Sequence, residues 1–525
     1  MSLKTTTLVT YYSLPSYIWY YILKILLKDG VSCAAFAAVS REWQAIIERH
    51  NFERLKVTPQ RLSTFQEMTH RNQHLVRYIW LCLEISEYPP VASWGVVNED
   101  NTLIAEAIES LFSSLSTWQL LGDLTLDISV YSPSDVRNPL SRYLTFEPDL
   151  NPKDCPYDQN IHGDAPGIPY QSRIDKFALM ILFDDLLSRN GYETRELDDV
   201  VYWLSGQAET DPDFPGQPHI LSDDESFERM LTELEQSTPA HDGLVNCWEQ
   251  MPSVPAVTRM LLRQQTRRSW PPEQLRKLFL RLPELQEIHY EPWRNWLGQG
   301  GGDFDDGKFT KLLPEACLKT LKRLILFENF NETYPEMMHC LRLREPSPNL
   351  SAALAETNLS LEPLSAAFSV DASYFFNACH SSWKWFNLTL LAVTSQLLRP
   401  DADPHQLEEM LQEAAAVALR MPQLQTLEIW EGRKGLAALF KYQSRPARLA
   451  WKATWYFRIP DSVTRAWDEV GMMFYGLDCA VVKQLLDGAA IKSHSDSIVQ
   501  LRLSQTIVRP VSLQQIRREQ RYLDP

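Results

Sequence analysis

Nowhere does this chain run for the ~20 apolar residues that a membrane-spanning helix requires. Its greasiest stretch, residues 18–27, is broken by Lys24. Pro15 precedes that stretch and no small-residue cleavage site follows, which argues against a secretory signal. Cysteine is scarce and scattered: Cys33, Cys82, Cys155, Cys247, Cys317, Cys340, Cys379 and Cys479 include no C-x-x-C pair. That excludes a zinc ribbon or a disulfide framework, and predicts reduced, buried thiols in the cytoplasm or nucleus. Basic excess is missing too. The formal charge is −16, and residues 147–242, with 22 Asp or Glu against 6 Lys or Arg, carry all of it. A nucleic-acid backbone would be repelled by such a segment. It is also rich in proline, from Pro148 to Pro218, and reads as a solvated insertion.

The common catalytic and cofactor signatures are lacking as well. Gly298-Gln299-Gly300-Gly301-Gly302 is followed by Asp303, Asp305 and Asp306, where a phosphate loop needs Lys and a hydroxyl. Those aspartates are out of step with a calcium loop, and no closing Glu follows. His70 and His74 stand at i and i+4, but Arg71 occupies the place of the zincin glutamate. His339-Cys340 and Cys379-His380 have no third group to orient them. Ser381-x-x-Lys384 arises readily by chance, and no G-x-S-x-G elbow occurs. No metal, no cofactor and no catalytic residue is expected.

What is present starts at the N-terminus. Leu14-Pro15 opens a helix, since proline at the first turn forgoes an N–H that would have no partner. Ile18, Ile22 and Leu26 recur every four residues on one face, with Leu23 beside them. Lys28-Asp29-Gly30 ends the helix and Ser32 can cap the next. Val39-Ser40-Arg41, Trp43, Ile46, Phe52 and Leu55 then follow. Three short helices are implied. This order resembles the F-box, the adaptor-binding module of SCF-type cullin–RING ubiquitin ligases. Tyr17 departs from it, standing where family members often carry an acidic residue. The resemblance implies that Leu14, Pro15, Ile18, Ile22, Leu23, Leu26, Val39 and Trp43 contact or support a Skp-family adaptor.

Beyond residue 56 one unit recurs: an amphipathic helix, a few polar residues, then a short strand. Asn101, a candidate cap, opens a helix to Leu115 that leads into a strand over 121–126. Residues 271–281 precede Ile288-His289-Tyr290, and residues 404–420 precede Leu427-Glu428-Ile429-Trp430. Further strands are expected over 76–85, 257–262, 318–327, 386–392 and 498–503. The phrases LPELQEIHY, LKTLKRLIL and MPQLQTLEIW approximate a leucine-rich repeat. Such units come in series because one alone cannot bury its apolar face. Their spacing is irregular. The expected fold is therefore α/β: a three-helix F-box over 1–56, then an irregular leucine-rich-repeat-like right-handed solenoid with long insertions. Residues 57–130 form its first units. Residues 131–250 are an acidic, partly helical insertion, with helices expected at 174–187 and after Ser222. Residues 251–525 form the rest of the body, with a hairpin of 439–442 against 451–457 and a helix over 462–469. This layout is similar to fungal F-box-headed proteins with long leucine-rich-like bodies, on the phrases HYEPWRNW and LQTLEIWEGRKG.

Two clusters suggest recognition. Arg259, Arg263, Arg267 and Arg268 could read an acidic or phosphorylated partner through bidentate bonds, or could neutralise the acidic insertion. Trp293 and Trp296, with Tyr290, Trp430, Trp451 and Trp455, could be interface anchors or core plugs. The expected function is that of a substrate-recognition subunit: the F-box holds the adaptor, the body holds an unidentified client, and other subunits transfer ubiquitin. Alternatives are an F-box-headed scaffold that degrades nothing, and an enzyme with a scattered active site.

Overall fold

The computed structural model describes residues 16–28, 34–87, 98–119, 122–133, 146–149, 248, 250–264, 272–292, 319–331, 346–504 and 507–523. Leu14, Pro15, the cap at Ser32, the glycine-rich loop and the helices expected at 174–187 and after Ser222 lie outside them, as does nearly all of the acidic insertion.

The architecture is mixed α/β, with eleven α-helices among the described residues and twelve strands in one sheet. Helix α1 (Ser16–Lys28), a 3-10 turn (Ala34–Ala38) and α2 (Arg41–Glu53) come first. The sheet begins at once with β1 (Arg54–Val57), inside the span assigned to the helical module. Then follow α3 (Pro59–Thr69), β2 (Tyr78–Glu84), α4 (Asn98–Leu115) and β3 (Thr125–Tyr131). After the insertion come β4 (Arg259–Leu262), α5 (Pro272–Leu280), β5 (Glu287–Tyr290) and β6 (Arg323–Phe327). Next are α6 (Pro348–Thr357), β7 (Pro363–Asp371), α7 (Ala372–Ala378), β8 (Leu390–Thr394) and α8 (Pro404–Ala418). Strands β9 (Thr426–Arg433), β10 (Leu436–Ser444) and β11 (Ala447–Ala453) precede α9 (Asp461–Tyr475) and β12 (Ala480–Leu485). Helices α10 (His494–Leu501) and α11 (Pro510–Leu523) close the chain.

Strand order across the sheet is strand order along the chain. Strands β1 to β9 pair in parallel, β9–β10–β11 are antiparallel, and β12 is parallel to β11. Parallel neighbours need a crossover, which described helices provide from β1 to β3, from β4 to β5 and from β6 to β9. At the β9–β10 turn Gly435 takes φ +74°, a conformation that costs glycine nothing. Alternation sends Leu126, Ile128, Met260, Ile288, Leu324, Leu364, Leu391 and Leu427 to one face, where α3 to α9 cover them in a continuous apolar core. Burying each leucine or isoleucine there is worth roughly 1.5–3 kcal/mol.

The opposite face between β6 and β10 is covered too, by the last two helices. Ile498, Leu501, Leu513 and Ile516 pack on Phe327, Phe368, Trp430 and Leu439. Phe368 reaches that face through a break in register within β7, at φ +70°, and sits edge-on to Trp430 at 5.0 Å. Gly432 has no room for a side chain, since a Cβ there would stand 2.5 Å from Ser497 on α10.

Several expectations are corrected. Residues 498–503 do not form a strand: Ile498 and Leu501 are one helical turn apart on α10, and both point at the sheet. Asn101 does not open its helix, because α4 begins at Asn98 and Asn101 lies within it. The strand expected at 121–126 starts at Thr125, and that at 386–392 runs 390–394. The hairpin is longer than expected, β10 also pairs with β9, and the following helix extends to Tyr475.

Candidate functional site

The N-terminal helices have a small core of their own. Leu23, Trp43 and Ile47 are buried together, with Leu26, Phe36 and Ile46 packed against them. The Trp43 ring meets Phe36 edge-on at 6.1 Å. Its backbone N–H is accepted by Ser40 Oγ at 3.2 Å, which caps α2. Two of the expected adaptor residues, Leu23 and Trp43, are thus internal supports. Ile18, Ile22 and Leu26 are half-buried and Val39 is exposed. Beside them on α1, Tyr20, Tyr21 (61%) and Ile25 (59%) lie open to solvent. Ile18, Tyr21, Ile22 and Ile25 follow helical i, i+3, i+4, i+7 spacing, so they form one apolar ledge.

The expected client residues separate sharply. Arg259 is 42% exposed and bonds Asp123 at 2.7 Å and Glu287 at 3.4 Å. Arg263, on the same face, has no exposed side-chain surface and pairs with Asp127 at 2.6 Å. It also donates to the Glu147 carbonyl at 3.2 Å through both terminal nitrogens. Arg263 is therefore corrected from a recognition residue to an internal ion pair, because a partner cannot reach it. Arg267, Arg268, Trp293 and Trp296 lie outside the described residues. Tyr290, Trp430 and Trp451 are core residues.

Arg263 belongs to a buried polar layer that the sequence reading did not foresee. Tyr78 donates its hydroxyl hydrogen to Asp127 and accepts the Asp149 N–H at 2.9 Å. The Arg54 guanidinium lies 3.8 Å over the Tyr78 ring. Asp149 Oδ2 accepts from Arg509 Nε at 2.9 Å. Glu291 accepts from the backbone of Arg509 (2.6 Å) and Gln264 (3.3 Å) and from the Ser512 hydroxyl. His289 Nε2 stands 2.8 Å from the same carboxylate. Farther along, Glu428 accepts the Ser504 N–H at 3.0 Å and pairs with Lys441 at 3.0 Å.

These groups are titrated by their surroundings. Burial pushes Asp127 up from the ordinary aspartate value, against the pull of Arg263 and Tyr78. Burial also pushes Glu291 up, but His289, Ser512 Oγ and the Arg509 N–H together bring it below the usual glutamate value. The arrangement binds α11 and residues 146–149 to the sheet: Glu291 meets the start of α11, where backbone N–H groups favour an anion. The available signal was the acidic residue inside a strand pattern, as in Leu126-Asp127-Ile128 and Leu427-Glu428-Ile429.

The three described thiols, Cys82, Cys379 and Cys479, are all held above the ordinary thiol value. Burial pushes Cys82 up to about 11 and Cys379 up to about 12. Cys479 also rises to about 12, through burial and the nearby Asp468 and Asp478. Cys379 Sγ donates to the Phe375 carbonyl at 3.2 Å, while the adjacent His380 bonds Ser382 Oγ at 2.7 Å. Among the described residues no three His, Cys, Asp or Glu side chains are grouped to hold a metal, and no helix is long and apolar enough to cross a membrane.

Among the described residues the fold is mixed α/β, with a partly exposed apolar ledge on α1. Residues 313–509 match the model of a family of unknown function (DUF6546). That span includes β6 to β12 and leaves out the N-terminal helices and β1 to β5. No curated protein matches the chain.

Proposed function

We propose that this chain is the substrate-recognition subunit of an SCF-type cullin–RING ubiquitin ligase, docking a Skp-family adaptor through its N-terminal helices. The observation that carries the reading is the ledge of Ile18, Tyr21, Ile22 and Ile25, on helices whose own described core is only a few side chains. Among the described residues Tyr21 and Ile25 are exposed, and Ile18 and Ile22 are half-buried. Its order along the chain resembles the F-box. Covering it with an adaptor would remove apolar surface from water, at roughly 1.5–3 kcal/mol for each side chain fully buried. Lost rotational freedom and chain ordering offset part of that gain. The body is read as a degenerate right-handed α/β solenoid, a reading supported by nine parallel strands in chain order with described helices between six of the eight neighbouring pairs. It holds a client near the charged ubiquitin carrier, which makes transfer nearly intramolecular and asks no chemistry of this chain. Arg259, Arg267, Trp293 and Trp296 remain the client-facing candidates.

The test is co-purification with a Skp-family adaptor. Leu14→Ala combined with Ile22→Ala should cut adaptor recovery at least about tenfold, equivalent to 1.4 kcal/mol. The thermal midpoint of the body should stay unchanged. Undiminished recovery would overturn the adaptor assignment.

A further inference from the structure

Among the described residues the sheet ends in a strand with one unpaired edge. Among the described residues β12 pairs only with β11, and all six of its residues are exposed. The Leu486 N–H, one residue beyond, bonds the Ala453 carbonyl at 2.8 Å and so faces β11. Backbone groups alternate sides along a strand, so the N–H and C=O of Val481, Lys483 and Leu485 point away from the sheet. The surroundings are apolar. Val481, Val482 and Leu485 are exposed on the strand itself, Met472, Met473 and Leu477 at the end of α9, and Tyr456 (77%) beside Lys483. Methionines of this kind adapt to varied side chains. An open apolar edge is a template for another strand.

The charges select the occupant. Asp478 and Asp487 stand exposed at the two ends of β12. A second copy paired antiparallel about Lys483, the middle of the three outward-facing residues, would set Lys483 opposite the other copy's Lys483, and like charges directly opposite are unfavourable. An incoming segment with Lys or Arg at its flanks meets opposite charge instead. We propose that the β12 edge takes up an extended segment of a partner polypeptide as a thirteenth strand, apolar at alternate positions and basic at both ends. The inference uses none of the N-terminal residues and stands or falls apart from the adaptor reading.

The experiment measures fluorescence anisotropy with the full chain and a labelled peptide of alternating valine and threonine, flanked by lysines. A glutamate-flanked copy is the comparison. The lysine peptide should bind at least about tenfold more tightly than the glutamate peptide. Asp478→Lys with Asp487→Lys should reverse that order. Lys483→Pro removes an outward N–H but no bond to β11, and should weaken the lysine peptide at least about tenfold. Circular dichroism verifies that both variants fold, and a peptide blocked by a central proline should not bind. Equal binding of the two peptides, or full binding by a folded Lys483→Pro variant, would overturn the proposal. So would concentration-dependent dimers of the wild-type chain that Lys483→Pro abolishes, since the edge would then belong to a second copy.

Discussion

Take the two faces of the sheet at β3. Leu126 and Ile128 point into the helix-covered core, and Asp127 between them points the other way, yet all three are equally removed from water. The same alternation sets Ile288 against His289 and Leu427 against Glu428. On the first face the neighbours are hydrocarbon, and any side chain of similar volume serves. On the second, burial is tolerable only where a partner of opposite charge or a hydrogen bond is held in place. Those partners are distant in sequence: Asp149 and Arg509 are 360 residues apart, Glu291 and Ser512 are 221. One face is thus secured by composition, while the other, beside the apolar contacts of α10 and α11, depends also on the identity of its paired polar groups. Loss of a single atom group should consequently matter more on the polar face.

Arg263 gives the largest expected effect. Arg263→Leu removes the cation beside buried Asp127 and leaves that carboxyl without its ion-pair partner in the interior, which should cost roughly 3–5 kcal/mol in urea unfolding. Leu126→Met, a volume-conserving change on the opposite face one residue from Asp127, should cost less than about 1.5 kcal/mol. Adding Asp127→Leu to Arg263→Leu should restore much of the loss, because a buried pair can often be exchanged for apolar packing. If Arg263→Leu and Leu126→Met prove equally mild, the two faces do not differ in the way argued.

The same contrast explains what could be read in the sequence. Helix–strand units on the apolar face were legible wherever period and punctuation agreed. The helix opened by Pro404 and the strand through Leu427 and Ile429 fall where expected. Strand β7 was missed because its small residues, Ser365, Ala366 and Ala367, give weak alternation. Strand β12 was missed because both of its faces are exposed, so no burial pattern marks it. Residues 498–503 misled because Leu501 and Leu503 stand two apart as on a strand, whereas Ile498 and Leu501 are one helical turn apart and pack on the sheet from α10. The ledge on α1 was visible from Ile18 and Ile22, which recur on one side. The polar layer was not, since no local pattern connects Asp127 with Arg263 or Glu291 with the start of α11.

A smaller effect should appear on acidification. The folded chain holds the Glu291 carboxyl below its ordinary value, 4.5. Its contribution is then complete above that value and is lost as pH falls through the folded pKa. Asp127 works in the opposite direction: its raised pKa means that protonation relieves a cost of burial. Glu291→Gln should therefore be less stable than the parent at pH 7, with the gap narrowing as pH drops below about 4.5. Chemical denaturation across that range measures it. A gap independent of pH would mean that Glu291 acts through shape alone, and the polar face would lose part of its distinction.

Arg259 should give the smallest effect, and it narrows the comparison to one strand edge. It shares a face with Arg263 and also sits between acidic groups, but its side chain is 42% exposed against none for Arg263. Water already solvates Arg259, and neither Asp123 nor Glu287 is desolvated fully by losing it. Arg259→Ala should change stability by less than about 1 kcal/mol, and the difference should shrink further in high salt. Urea unfolding at low and high ionic strength gives both numbers. Should Arg259→Ala cost as much as Arg263→Leu, charge alone rather than burial would govern this face. A near-zero cost would instead leave Arg259 free to be altered in binding experiments without disturbing the fold, which is what a client-facing residue must allow.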